Sequence, residues 1–434
     1  MSKSRQHIIV FEHDTLKLDH SYDGPTSDAP KVKFDASKLS ALQTYFGQKG
    51  VPYFSLINNG IRFCEFVGVI QIGKLTIEVL PKPDKNEEDK SSWKKKLIAM
   101  LRAVGVFDIR QTSESDLRLH SNSILELYFE IFLDETERLL HQGLVKRYRK
   151  TEGNTTALKG SIQFGRHIQQ NLVHQERFFV RYTTYDVEHN FHKIMWKTIL
   201  LLQMINTNDR LQSRIASIRL QFPEMANLNV SAATFSNLSW NRKTESYRKV
   251  MKIAEMLLLN FHPDVARGQH HVLALMFDMN LLWEKFVFAC LRKNLKDCTV
   301  KAQNTRLFWQ SVDKNIQTGM RPDILIEKKG GGKFVLDTKW KNLDGQKPSP
   351  EDLRQMFAYQ VFFEAEKTAL VYPGKESNFR HGIFRKDGFE KICSLLPIPV
   401  KSAFQDWQNE ISYVLEAWVN SEVSPIHQTP LQLK

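Results

Sequence analysis

Cysteine is scarce in this chain. Cys64, Cys290, Cys298 and Cys393 are the whole complement, and no CxxC pair occurs. That excludes a zinc ribbon and a disulfide framework and points to a reducing compartment. Long apolar runs are missing too. Stretches such as Ile199–Leu202 and Leu257–Leu259 are far too short to span a bilayer. The opening MSKSRQHIIVFEHD breaks into charge after a short apolar stretch, unlike a secretory leader. The expectation is a soluble, cytoplasmic protein. No GxxxxGK[ST] phosphate loop is present. Pro373-Gly374-Lys375-Glu376-Ser377 echoes one with the wrong spacing and is expected to be a surface turn. There is no repeat of fixed period and no low-complexity tract.

What is present is globular and basic. Hydrophobic residues make up 42% of the 434 and charged residues 25%. A chain of this length is expected to form about two to four domains. Lysine and arginine number 61 against 48 acidic residues, a net charge of +13 and a pI near 9.4. Such a surplus suits a polyanionic partner such as DNA or RNA, or simply a basic soluble protein.

The chain divides into three parts by pattern: a β-rich N-terminal domain over 1–115, a mainly helical middle over 116–265 and an α/β domain over 266–434. Alternation in Val67–Pro83 predicts a hairpin turning at Gly73-Lys74 in type II′ geometry. The charged segment Lys85–Lys96 reads as a solvated loop, followed by a short helix, Leu97–Val104. Apolar spacing predicts helices over Ser121–Leu144, Asn190–Ile205, Tyr247–Leu259 and Leu273–Leu295. Strands are expected around Arg306–Ser311, Arg321–Ile326, Lys333–Thr338 and Thr368–Tyr372, with a helix over Pro350–Lys367. A last helix aligns Phe404, Trp407, Ile411, Leu415 and Trp418 as core.

Chemistry concentrates in RPDILIEKKGGGKFVLDTKWK, Arg321–Lys341. It reads as two strands joined by a glycine loop. Asp323 stands at the start of the first, Asp337 and Lys339 at the end of the second. Side chains two apart on a strand share a face, so Asp337 and Lys339 project together. Two carboxylates and an ammonium then meet at one sheet edge. Hard oxygen ligands suit Mg²⁺, which polarises a phosphate and lowers the pKa of water, while a lysine orients that water. Carboxylates and lysines are also common at strand ends, so DxK alone carries little. Glu284, on DMNLLWEKFV with Leu281, Leu282 and Phe286 facing inward, is either a reach into the metal's shell or a surface charge. Gln355 and Tyr359 share a helix face one turn apart.

The order Glu284, Pro322-Asp323, Asp337-Thr338-Lys339 and Gln355-x-x-x-Tyr359 resembles the PD-(D/E)xK nuclease superfamily. The resemblance implies a restriction-endonuclease-like C-terminal fold. It makes Asp323 and Asp337 ligands of Mg²⁺ (with Mn²⁺ as a substitute), aided by Glu284. Lys339 would serve the attacking water, and Gln355 and Tyr359 would support the site. Asp at the second acidic position replaces the commoner Glu. The hairpin GVIQIGKLTIEVLPKP, HQGLVKRYRK with LKGSIQF, YDVEHNFHKIMWKTI, MNLLWEKFV and LDTKWK together resemble McrC proteins. That family implies a DNA endonuclease subunit of a restriction system, driven by McrB, a hexameric AAA+ GTPase whose hydrolysis it stimulates. Recognition of modified cytosine would lie in the partner.

Other features stay open. Lys146, Arg147, Arg149 and Lys150 either contact DNA phosphates or form a solvated loop. Lys94, Lys95 and Lys96 read as plain solvation. Phe308 and Trp309 read as core rather than as platforms for bases. His270-His271 lacks ligand partners at metal spacing. The alternatives to cleavage are a non-cleaving activator of an AAA+ NTPase and a basic nucleic-acid-binding scaffold.

Overall fold

A computed structural model describes residues 6–24, 30–47, 50–82, 89–105, 123–263, 271–341, 343, 347–375, 379–386, 389–401 and 403–421. The chain is a mixed α+β protein with several sheets. Its described residues fall into two compact units. One draws on 1–7, 69–76 and 113–275, the other on 8–68, 77–112 and 276–434.

A five-stranded sheet runs in the order Gln6–Phe11, Leu75–Leu80, Phe66–Ile72, Val272–Asp278, Phe261–His262. The expected hairpin is there. Gly73 takes φ +53°, and Lys74 stays out of the positive region, as a type II′ turn requires. Val272–Asp278 is a strand, not the start of the helix expected from Leu273. The run VLALMF is apolar at every position, so its period cannot separate a buried strand from a helix. The helix begins at Met279, where the Asp278 side chain accepts from the Leu281 N–H.

In the first unit, Ile124–Gln142 is capped by Ser123, and Gly143 with φ +83° stops it. Asn190–Ile205 spans the expected residues, and Arg248–Leu259 follows a short 3₁₀ turn. Arg214 from Asp209–Gln221 pairs with both Asp134 and Glu137. The unit is not purely helical. Arg147–Thr155 pairs antiparallel with Phe178–Asp186 over nine positions, and Ser161–Ile162 extends that sheet. Arg147, Arg149 and Lys150 of the basic cluster therefore lie on a strand, with Lys146 just before it, and LKGSIQF runs into a helix, Phe164–Asn171.

In the second unit, the charged stretch expected as loop turns helical at Lys90, behind an Asp89 cap, and runs to Ala103. The reason is a stripe at helical spacing, Trp93, Lys96, Leu97, Met100 and Leu101, which is buried. Two of its lysines are not simply solvated. Lys94 pairs with the buried Glu78 at 2.8 Å, and Lys96 lies over the Trp93 ring.

The larger sheet of this unit has six strands: Cys298–Ala302, Ile324–Lys328, Lys333–Thr338, Lys367–Gly374, Phe389–Pro399, Arg380–Lys386. Its two central pairings are parallel and the outer ones antiparallel. The helix Pro350–Phe362 links two of the parallel strands, as such a crossover must. Its Met356 and Tyr359, with Phe363, pack with Leu325, Val335, Leu370 and Tyr372. Phe404–Asn420 buries Trp407, Ile411, Leu415 and Trp418, as the stripe predicts, with Phe404 half-buried. Pro373 and Gly374 belong to a buried strand rather than a surface turn, and Glu376 and Ser377 lie outside the described residues. His270 does too. All four cysteines are free. No helix among the described residues is long and apolar enough to cross a membrane.

Candidate active site at the end of the six-stranded sheet

The strand pairing brings the two aspartates together. Ile324 lies opposite Leu336, so the next positions, Asp323 and Asp337, face each other where the ladder ends. Alternation puts Asp337 on the face of Val335, which packs on Met356 and Tyr359. Lys339 follows the strand by one residue, and its N–H bonds the Val371 carbonyl at 3.0 Å. Its Nζ sits 2.8 Å from Asp337 Oδ2 and 4.0 Å from Asp352.

Asp337 is 1% exposed. Its Oδ2 is buried and receives no well-aligned hydrogen bond, so the Lys339 contact is an ion pair. Burial, then the Asp323 charge, push its carboxyl up to about 6, although Lys339 opposes them. Burial works against the Lys339 ammonium, but the Asp337 charge outweighs it and holds the lysine above its ordinary range.

Asp323 is held from the neighbouring strand. Its Oδ2 accepts from the Thr338 N–H at 2.7 Å and the Thr338 hydroxyl at 2.9 Å. Glu284 is buried on Met279–Asn294 and is pushed up to about 7 by burial and then by Asp323. Gln303 donates to Glu284 Oε1 at 3.0 Å, and its N–H bonds the Asp323 carbonyl. On this helix Leu282, Trp283 and Phe286 face inward, whereas Leu281 is exposed against expectation. Trp283 takes the inward place and donates to the Val371 carbonyl.

Gln355 and Tyr359 do meet. Gln355 donates to the Tyr359 hydroxyl at 2.8 Å, which donates to the Arg321 carbonyl at 2.8 Å. They therefore fix the backbone two residues before Asp323. Three contributors went unread in the sequence: Thr338, Gln303 and Asp352. Asp352 bridges toward Lys339 and takes Lys341 at 2.8 Å, yet it sits in an ordinary first-turn acid position. Gln303 carries one signal only in the backbone, a φ of +49°.

Lys146, Arg147, Arg149 and Lys150 belong to the other compact unit. Arg149 pairs with Asp186, and Arg147 donates to the Glu188 carbonyl. Lys146 and Lys150 are exposed.

The donor set suits a hard divalent cation. Two carboxylates face each other, and one has a buried oxygen with unmatched acceptor capacity. No three His, Cys, Asp or Glu side chains among the described residues converge to hold an ion unaided. A Mg²⁺ ion would have to take the rest of its shell from water and substrate phosphate. Beside Glu284 and Gln303 opens a cleft of about 670 Å³ lined by Lys285, Arg292 and Lys293. None of these three cations has an ion partner among the described residues.

Behind the site lies a buried tie. Glu12 accepts from the Trp340 indole at 2.7 Å and the Lys82 N–H at 2.6 Å. Trp340 adjoins Lys339, and its N–H bonds Asn280. Trp93, Trp283, Trp340 and Trp407 cluster around it, with ring centroids 5.5 to 6.4 Å apart.

Two comparisons agree with the architecture. The Type IV methyl-directed restriction enzyme EcoKMcrBC of Escherichia coli (strain K12) is 18% identical over 293 residues, 63% of this chain and 84% of its own. The fold is similar to a chain in the refined half-complex from the tetradecameric assembly of Thermococcus gammatolerans McrB AAA+ hexamers with bound McrC. The TM-score is 0.69 at 17% identity, covering 95% of this chain and 100% of that one. A family model for the McrBC 5-methylcytosine restriction system component matches residues 61–373, well over half of the chain, and the chain therefore belongs to that family.

Proposed function

We propose that this chain is the Mg²⁺-dependent DNA endonuclease subunit of a McrBC-type restriction system, with a PD-(D/E)xK site, working with a McrB-like AAA+ GTPase. The observation that carries it is the facing pair Asp323 and Asp337 with Lys339 at 2.8 Å. The partner is argued from the Thermococcus gammatolerans assembly, in which McrC is bound to McrB hexamers.

Asp323 and Asp337 would hold Mg²⁺, with Glu284 reaching the site from the helix behind. When bound, the ion would polarise the scissile phosphate and acidify water. Thr338 keeps Asp323 aimed. Lys339 is held charged beside Asp337, where it can orient the attacking water and offset charge that builds on the phosphate. Burial of Asp337 excludes bulk water and strengthens each of these interactions. Tyr359 and Gln355 act through the backbone and are positioning residues.

Plasmid DNA incubated with this chain, its AAA+ partner, GTP and Mg²⁺ is expected to linearise. Chelating the metal should stop cleavage, and Mn²⁺ should restore it. Cleavage that survives chelation would remove the metal-dependent reading. Intact plasmid with the partner's hydrolysis still stimulated would leave the non-cleaving activator instead.

A further inference from the structure

Phe308 and Trp309 are not core. They stand on a two-stranded ribbon, Arg306–Gln310 with Gln317–Met320, that joins no other sheet among the described residues. Trp309 is 52% exposed, Ile316 62%, and Val312 fully so. A ribbon of this length is marginal alone, but its first strand is anchored, and Met320 of the second packs against the core. Phe308 packs edge-on against Phe362, and the Arg306 guanidinium lies over Phe363. Gly319 admits the close approach of Thr305, whose methyl would meet an added Cβ at 2.6 Å. The tip is preformed as well. Asp313 accepts from the Ser311 hydroxyl and from Asn315, and Ser311 N–H bonds the Ile316 carbonyl.

The ribbon springs from the site itself. The chain enters it just after Gln303, which holds Glu284, and leaves it through Arg321 into Asp323. Arg306 and Lys314 make no ion pair among the described residues, Arg321 faces the charge of Glu284, and Asp313, the one acid of the ribbon, is spent on the turn. The unpaired Lys285, Arg292 and Lys293 continue that positive surface along the adjoining cleft.

We propose that ribbon 306–320 seats in the major groove of duplex DNA beside the scissile phosphate, with Trp309, Val312 and Ile316 against base edges. A two-stranded ribbon matches that groove in width, and apolar side chains meet thymine methyls there. Arg306, Lys314 and Arg321 reach the flanking phosphates. The inference rests on the nuclease reading above. A second copy of this chain is the rival occupant, but the unpaired cations favour a polyanion over a like-charged surface.

The test is binding of a fluorescein-labelled duplex to the full-length chain at low salt with EDTA, where nothing is cut. The triple variant Trp309→Ser, Val312→Ser, Ile316→Ser is expected to bind at least about tenfold more weakly, with its salt slope unchanged because no phosphate contact is lost. Trp309→Phe alone should bind within about twofold of wild type. Equal affinity for wild type and the triple variant overturns the proposal, as does no duplex binding by wild type. So does a wild-type dimer that the triple variant dissolves at unchanged DNA affinity. Asp337→Ala should bind DNA normally in this assay. A failed nuclease reading would therefore appear in the cleavage assay and a failed ribbon in the binding assay.

Discussion

Asp337→Ala is expected to lower plasmid cleavage on the order of a thousandfold or more, the scale of losing a central electrostatic group, while the partner's GTP hydrolysis stays stimulated. The variant should also fold. Asp337 is buried opposite Asp323, and like charges so placed oppose the native state rather than hold it together. Without metal, the variant should melt close to wild type, because relief from Asp323 offsets the lost pair with Lys339. Adding Mg²⁺ should raise the wild-type midpoint and leave the variant's unmoved, because a ligand stabilises only what binds it. Full cleavage by the variant would take Asp337 out of the site. An equal Mg²⁺ shift in both proteins would put the ion elsewhere.

The second large effect is on stability and its pH dependence. Glu12 is 1% exposed, and burial pushes its carboxyl from 4.5 up to about 7. The Lys82 N–H and the Trp340 indole pull the other way, while Glu65 and Asp278 add to the rise. The folded state therefore holds a proton that the unfolded chain releases between about pH 4.5 and 7. Stability from this residue is full below pH 4.5 and is lost as pH rises through 7. The difference amounts to roughly 3 kcal/mol. Glu12→Gln keeps the shape and an acceptor for Trp340 but cannot ionise. It should flatten this slope and melt higher than wild type at pH 8, with little difference at pH 4.5. Equal midpoints at both pH values would show that Glu12 ionises freely.

How legible this was depended on distance along the chain. Asp323, Asp337 and Lys339 lie within seventeen residues, and a strand's two-residue period was enough to gather them. Gln355 and Tyr359 needed only one helical turn. Glu12 and Trp340 are 328 residues apart, and no local pattern announces a contact of that kind. Thr338 lies between Asp337 and Lys339, where the strand period gives it no part in their face, yet its hydroxyl bonds Asp323 across the strand pair. Local composition, apolar or charged, does not decide tertiary fate. VLALMF fits a helix as well as a strand because every residue is apolar, although only Val272–Leu275 are fully buried. Phe308 and Trp309 passed for core because large aromatics usually are. Lys90–Lys96 passed for loop because charge hid the stripe that buries Trp93.

The tryptophan cluster has an optical consequence. Trp93, Trp283, Trp340 and Trp407 are half of the eight indoles in the chain, and their separations of 5.5 to 6.4 Å permit strong excitonic coupling. Trp283 precedes Glu284, and Trp340 follows Lys339. Circular dichroism therefore carries a contribution from this neighbourhood, without any attached dye. A shift of a few degrees between the Glu284 helix and the Lys339 segment would change the coupled signal. Nucleotide turnover in a partner ring could then be followed, in real time, as a change of ellipticity at the nuclease centre.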